Sequence, residues 1–173
     1  MSGSLHSTAE RGLTPVSRRG ALAAVAAAAL LLARPAGAAA AQAEDTAGAL
    51  LELIAREQAA DFAYRATGAP RFARLGRHAA EHARALRTHL ESVGRPPPAV
   101  PGSAGDLDPA AARVAAGGGD AAARALERQL VEACAGALDR LYVPSSKRTA
   151  ATIMASHGQH LVVLHRDPLE ALG

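Results

Sequence analysis

A chain of 173 residues has room for one domain, and a composition 49% apolar but only 2% aromatic, much of it alanine, favours close-packed helices over sheet. Four of its 19 basic residues (Arg11, Arg18, Arg19, Arg34) and one of its 16 acidic ones (Glu10) precede Gln42. That leaves 15 of each sign beyond it, so the net basic footprint of a nucleic-acid binder is missing, and the single cysteine, Cys134, excludes an internal disulfide and a cysteine-rich zinc site.

The chain opens with polar residues that carry no repeating pattern. Ser17-Arg18-Arg19-Gly20-Ala21-Leu22 follows and leads into the apolar run Ala21 to Ala33. That run is short for a membrane span and is broken by Arg34 and Pro35. Beyond it, Ala38 to Ala43 offers several small-x-small cleavage sites. A basic start, a short apolar stretch and a small-residue exit describe a removable signal peptide over residues 1–43. Ser17, Arg18, Arg19 and Leu22 resemble the twin-arginine export signal, with Ala21 and Ala23 in place of its usual Phe and Lys. The export machinery is then the expected partner of Arg18 and Arg19. The expected destination is the periplasm, the cell envelope or the outside of the cell, with no membrane span in the mature chain.

Four segments beyond the leader show helical periodicity. The first runs from about Asp45 to Thr67 and stops at Gly68-Ala69-Pro70. The second runs from about Arg71 to Val93 and stops at Gly94, with Pro96-Pro97-Pro98 beyond. The third runs from about Asp120, read as its N-cap, to Tyr142. The fourth starts at Pro144, with Ser145 or Ser146 as N-cap, and reaches about His165. Between the second and third lies an irregular stretch, 94–119, with room for a short helix over Pro109 to Ala115. Short, long and short connections fit a four-helix bundle over residues 44–167 with one crossover, followed by a tail at 168–173.

One stripe of each helix, traced in steps of three and four, is apolar with polar interruptions. The stripes read Leu50, Ile54, Glu57, Asp61, Tyr64; Phe72, Leu75, Ala79, His82, Leu86; Ala123, Glu127, Leu130, Cys134, Ala137, Leu141; and Ala150, Ile153, His157, His160, Leu164. A carboxylate or imidazole facing a core needs a partner or a cation. One reading is a metal site pooled from four helices; a second is a set of carboxylate–histidine pairs that hold the bundle in register. A third, a stripe traced in the wrong phase, puts these residues on the surface. Asp61 is a partner for a histidine or a group at the bundle's wet end. Glu81 lies one step off its stripe. His78, His89 and His165 read as solvated or helix-capping, the arginines of the second helix as a solvated face, and Cys134 as a small core residue.

Glu57 with Tyr64 two turns later, Glu127 with Cys134 at the same step, and His78-Ala79-Ala80-Glu81-His82-Ala83 resemble the ligand segments of the ferritin-like superfamily, and Ile153 to Leu164 resembles the fourth-helix ligand segment of its exported bacterial members. The resemblance covers nearly the whole mature chain. It implies an all-α ferritin-like four-helix bundle whose metal residues are Glu57, His82, Glu127 and His160, with His157 as a substitute ligand. Family members carry Glu three residues before each ligand histidine; here those positions are Ala79 and His157. Two carboxylates and three imidazoles suit one zinc, copper or iron ion better than a carboxylate-bridged pair, and iron, zinc, copper and manganese are the ions to consider. The expected function is an exported metal-binding protein, with redox or oxygen chemistry or metal handling as the roles the resemblance implies; the altered ligand set argues against an efficient di-iron oxidase. The alternative is a metal-free bundle serving as a structural or interaction module at the cell envelope. A homodimer is compatible with either.

Overall fold

A computed structural model describes residues 36–165. The arginine pair, the apolar run from Ala21 and the tail from 168 lie outside the described residues. Within those residues the protein is all-α, with five helices, one 3-10 turn and no strand.

Helix α1 spans Ala36–Ala66, α2 Pro70–Ser92, α3 Pro109–Ala115, α4 Gly119–Leu138 and α5 Pro144–His165. The stops are written in Gly and Pro. After α1 the chain turns at Gly68, whose φ of +62° lies in the left-handed region, and Pro70 opens α2. In the same turn the Thr67 hydroxyl donates to the Tyr64 carbonyl and accepts the Ala69 N–H. Helix α2 closes at Gly94, also left-handed, with the Arg95 N–H reaching back to the Leu90 carbonyl at 3.3 Å. Helix α3 lies where the crossover was expected to hold one. The Asp108 carboxylate caps it by accepting the Ala110 and Ala111 N–H groups, and Pro109 is its first residue.

Three boundaries differ from the sequence reading. Helix α1 begins at Ala36 rather than near Asp45, because the alanines of 38–43 are the strongest helix formers although they carry no apolar periodicity. Asp120 lies in the first turn of α4 and Gly118 takes the cap position; Pro144 is itself helical, so neither Ser145 nor Ser146 caps α5. Helix α4 ends at Leu138, short of Tyr142. There the buried Thr46 hydroxyl of α1 donates to the Arg140 carbonyl at 3.3 Å and accepts the Tyr142 N–H at 3.1 Å, drawing the chain out of the helix. Thr46→Val keeps the shape and removes both bonds. It is expected to lower unfolding stability by about 1–2 kcal/mol, read from urea denaturation midpoints.

Two apolar clusters fill the interior. One joins Ala60, Tyr64, Phe72, Leu75, Val114, Leu126 and their neighbours; the other joins Leu50, Ile54, Leu86, Leu90, Leu141, Ile153 and theirs. All four long helices contribute to both or pack against both. Many of the fully buried residues are alanines, among them Ala49, Ala60, Ala63, Ala123, Ala137 and Ala150, which lets helix backbones approach closely. Along α1, α2 and α5 the inward polar residues fall where one cluster gives way to the other. Among the described residues no helix is long and apolar enough to cross a membrane.

Candidate metal centre

All four stripes face inward, so the surface reading of their polar residues is excluded. Glu57, Glu127 and His157 are each 1% exposed and His160 is 6% exposed; His82 is half-buried. The helices bring these five side chains into one hydrogen-bonded cluster with His157 at its centre. Its Nε2 lies 2.7 Å from Glu57 Oε1 and its Nδ1 lies 2.7 Å from Glu127 Oε2. His160 Nδ1 reaches the same Glu127 oxygen at 3.1 Å, and His82 Nδ1 reaches Glu57 Oε2 at 3.4 Å. The other oxygen of Glu127 accepts the Tyr64 hydroxyl at 2.6 Å.

Because an ionised carboxylate only accepts, both nitrogens of His157 must donate, and the ring is an imidazolium in this arrangement. Burial disfavours its charge, but the bonds to Glu127 and Glu57 outweigh burial and raise its pKa to about 9. Burial likewise pushes both glutamates up, and the histidines overcome it. Glu127 is held down to about 2 by His157 and His160, and Glu57 is held below the usual carboxylate range by His157 and His82. Burial and the Glu127 charge raise the Tyr64 phenol, which keeps it neutral. Burial, with the Glu57 charge, pushes the Cys134 thiol up to about 12, so Cys134 is an inert core residue.

Residues outside the expected ligand set divide in two. His78, read from sequence as solvated or capping, instead places Nδ1 2.8 Å from His160 Nε2 and stacks on that ring. It lies four residues before His82 on the same helix, a spacing that the stripe through Ala79 passed over. His160 Nδ1 donates to Glu127, and the 2.8 Å contact at its Nε2 couples the proton placement of His160 to that of His78. His89 bonds the Thr149 hydroxyl at 2.9 Å, tying α2 to α5. Asp61 pairs with Arg65 at 2.5 Å, with no histidine among its hydrogen-bond partners. Glu81 and Arg71, Arg74, Arg77 and Arg84 are exposed. Arg87 is half-buried and meets the buried Gln58, whose amide, oriented to satisfy both neighbours, also donates to the Ala99 carbonyl at 3.1 Å.

Two subsets of the cluster have the composition and proximity of cation sites: Glu57, His82 and His157, and Glu127, His157 and His160, each with ligand atoms within 4.8 Å of one another. Zinc-type bonds of about 2.0–2.2 Å in tetrahedral geometry hold nitrogen and oxygen donors about 3.4 Å apart. The facing N and O atoms here are separated by 2.7 to 3.4 Å, so the closest pairs must open by about 0.7 Å to seat an ion. The donor set fits a nitrogen-rich site. With three imidazoles to two carboxylates it is nitrogen-rich for a carboxylate-bridged pair. An open cleft of about 460 Å³ between α2 and α5, lined by His82, Arg148, Thr149 and Thr152 among others, leads from solvent to the His82 edge of the cluster.

No protein-family model matches the chain, and comparison with curated proteins and with solved structures gives no match to either.

Proposed function

We propose that the protein is an exported metal-binding protein with a ferritin-like four-helix bundle, whose long crossover joins α2 to α4. Its site is the buried carboxylate–histidine cluster, and Glu57, His82, Glu127, His157 and His160 are the residues that hold the ion. The observation that carries this reading is the convergence of two buried carboxylates and three imidazoles from four helices on one point. Export rests on the Ser17 to Leu22 segment and the apolar run after it.

A bound late transition ion supplies Lewis acidity and, where it is copper or iron, one-electron chemistry. The chain's own residues supply the rest. Glu57 and Glu127 bring the negative charge, His82 and His160 provide terminal donors, and His78 orients His160 from behind. Ile54, Leu130 and Ile153, neighbours of the ligands along their helices, belong to the apolar clusters that exclude water on either side. Tyr64 holds the Glu127 carboxylate in place and remains a neutral donor.

A second reading, the metal-free lock on bundle register, is favoured by the self-satisfied imidazolium between two glutamates. The two readings separate on metal-linked stability. For metal-free protein titrated with zinc or copper, an ion that binds only the folded chain adds about 2.7 kcal/mol at a hundredfold excess over its Kd. The melting temperature is expected to climb with ion concentration in the parent and to stay flat in Glu57→Ala/His160→Ala, which removes a ligand from each group. A flat response in the parent to zinc, copper, iron and manganese alike contradicts metal binding.

A further inference from the structure

We infer that the cluster takes two divalent ions of the copper or zinc class, one on each side of His157, with that single ring as the ligand they share. The inference rests on the metal-binding reading above and goes beyond it in number, arrangement and class of ion.

His157 alone belongs to both candidate ligand groups. Each group is otherwise complete without the other, and the two have the same make-up: Glu57 and His82 on one side, Glu127 and His160 on the other. The ring presents Nε2 to the first group and Nδ1 to the second, each 2.7 Å from a carboxylate oxygen. The two nitrogens of an imidazole diverge across the ring, so one ion cannot use both. A site for a single ion leaves one buried glutamate and one buried histidine arranged as ligands with nothing to bind. Sequence reasoning favoured one ion because two carboxylates and three imidazoles are nitrogen-rich for a carboxylate-bridged pair. A shared ring needs no bridging carboxylate, since one imidazole serves both ions.

The pairing also follows the helices. Glu57 and His82 come from α1 and α2, Glu127 and His160 from α4 and α5, and His157 sits three residues before His160, on the same face. Nitrogen supplies two of the three protein donors on each side, which favours copper and zinc over manganese and magnesium. No electron is transferred on loading. Each bond formed to His157 replaces an N–H bond, so the imidazolium releases two protons to solvent, one for each ion.

The experiment is stoichiometric and magnetic. The purified protein, stripped of metal and free of tag histidines, is titrated with Cu(II) while bound copper and the electron paramagnetic resonance signal are followed together. Two equivalents per chain are expected. The signal is expected to grow over the first equivalent and then to fall well below that of two isolated ions, as their spins pair through the ring. His157→Gln, which can bridge neither way as imidazole does, should restore the signal of uncoupled copper in proportion to what it binds. Saturation at one equivalent overturns the shared-ring arrangement and leaves the metal-binding function standing, as do two equivalents with full uncoupled intensity. Failure of the parent to bind any copper or zinc overturns both. The parent titration decides the matter even if the variant does not fold.

Discussion

Glu127→Ala is expected to destabilise the metal-free protein by on the order of 3–5 kcal/mol, the scale for removing one partner from a buried charge pair. Glu127 is 1% exposed and accepts from His157, His160 and Tyr64 together. Its removal leaves a buried imidazolium with one carboxylate in place of two and a buried phenol with no acceptor. His157 can shed its Nδ1 proton and still donate from Nε2 to Glu57, but it then gives up its charge beside that carboxylate, and the Nδ1 atoms of His157 and His160 lose their shared partner. For a domain of this size the loss corresponds to a fall in Tm of roughly 10–20 °C. Urea denaturation in chelator measures it. A change under about 1 kcal/mol would mean that the cluster is not an ionic network. Glu127→Gln, which keeps an acceptor oxygen for one neighbour, should fall between parent and alanine variant.

The second large effect is a pH profile. His157 titrates near 9 in the folded protein against an ordinary 6.5, so its folded pKa is raised. Its contribution is fully present below pH 6.5, where the unfolded chain also holds the proton, and is lost as pH rises through 9. The shift corresponds to about 3 kcal/mol. Glu127 titrates near 2 against an ordinary 4.5, so its contribution is present above pH 4.5 and is lost as pH falls toward 2. The same hydrogen bonds shift both groups, so the stabilisation is counted once. The metal-free protein is expected to be most stable between pH 4.5 and 6.5 and to weaken by about 3 kcal/mol toward pH 9, measured by denaturation midpoints across that range. Bound ions reverse the trend on the alkaline side, because deprotonation of His157 then creates a ligand. His157→Gln should flatten the alkaline decline.

Much of this was legible in the sequence. Pro70, Gly94 and Pro109 punctuate the chain chemically, and the bounds of α2 and α3 follow from them. Steps of three and four placed Glu57, His82, Glu127, His157 and His160 on inward faces, which is a statement about azimuth on a helix and needs no tertiary knowledge. What escaped depends on neighbours. The early end of α4 is set by a hydroxyl from α1, almost a hundred residues away in sequence. The role of His78 depends on how α2 and α5 abut, and one stripe per helix cannot register a residue that meets its partner from the stripe's edge. The orientation of the His157 ring, which turns a substitute ligand into the centre of the cluster, arises only once α1, α4 and α5 hold their carboxylates around it.

One measurement tests the metal centre most directly: elemental analysis of the protein purified without chelator or tag histidines, beside Glu57→Ala/His160→Ala prepared in the same way. Metal in integral proportion to the parent chain, and none in the variant, is the predicted result. A folded parent that carries no metal and stays empty when offered iron, zinc, copper and manganese would contradict the metal centre and leave the buried glutamates and histidines as the lock that holds the helices in register.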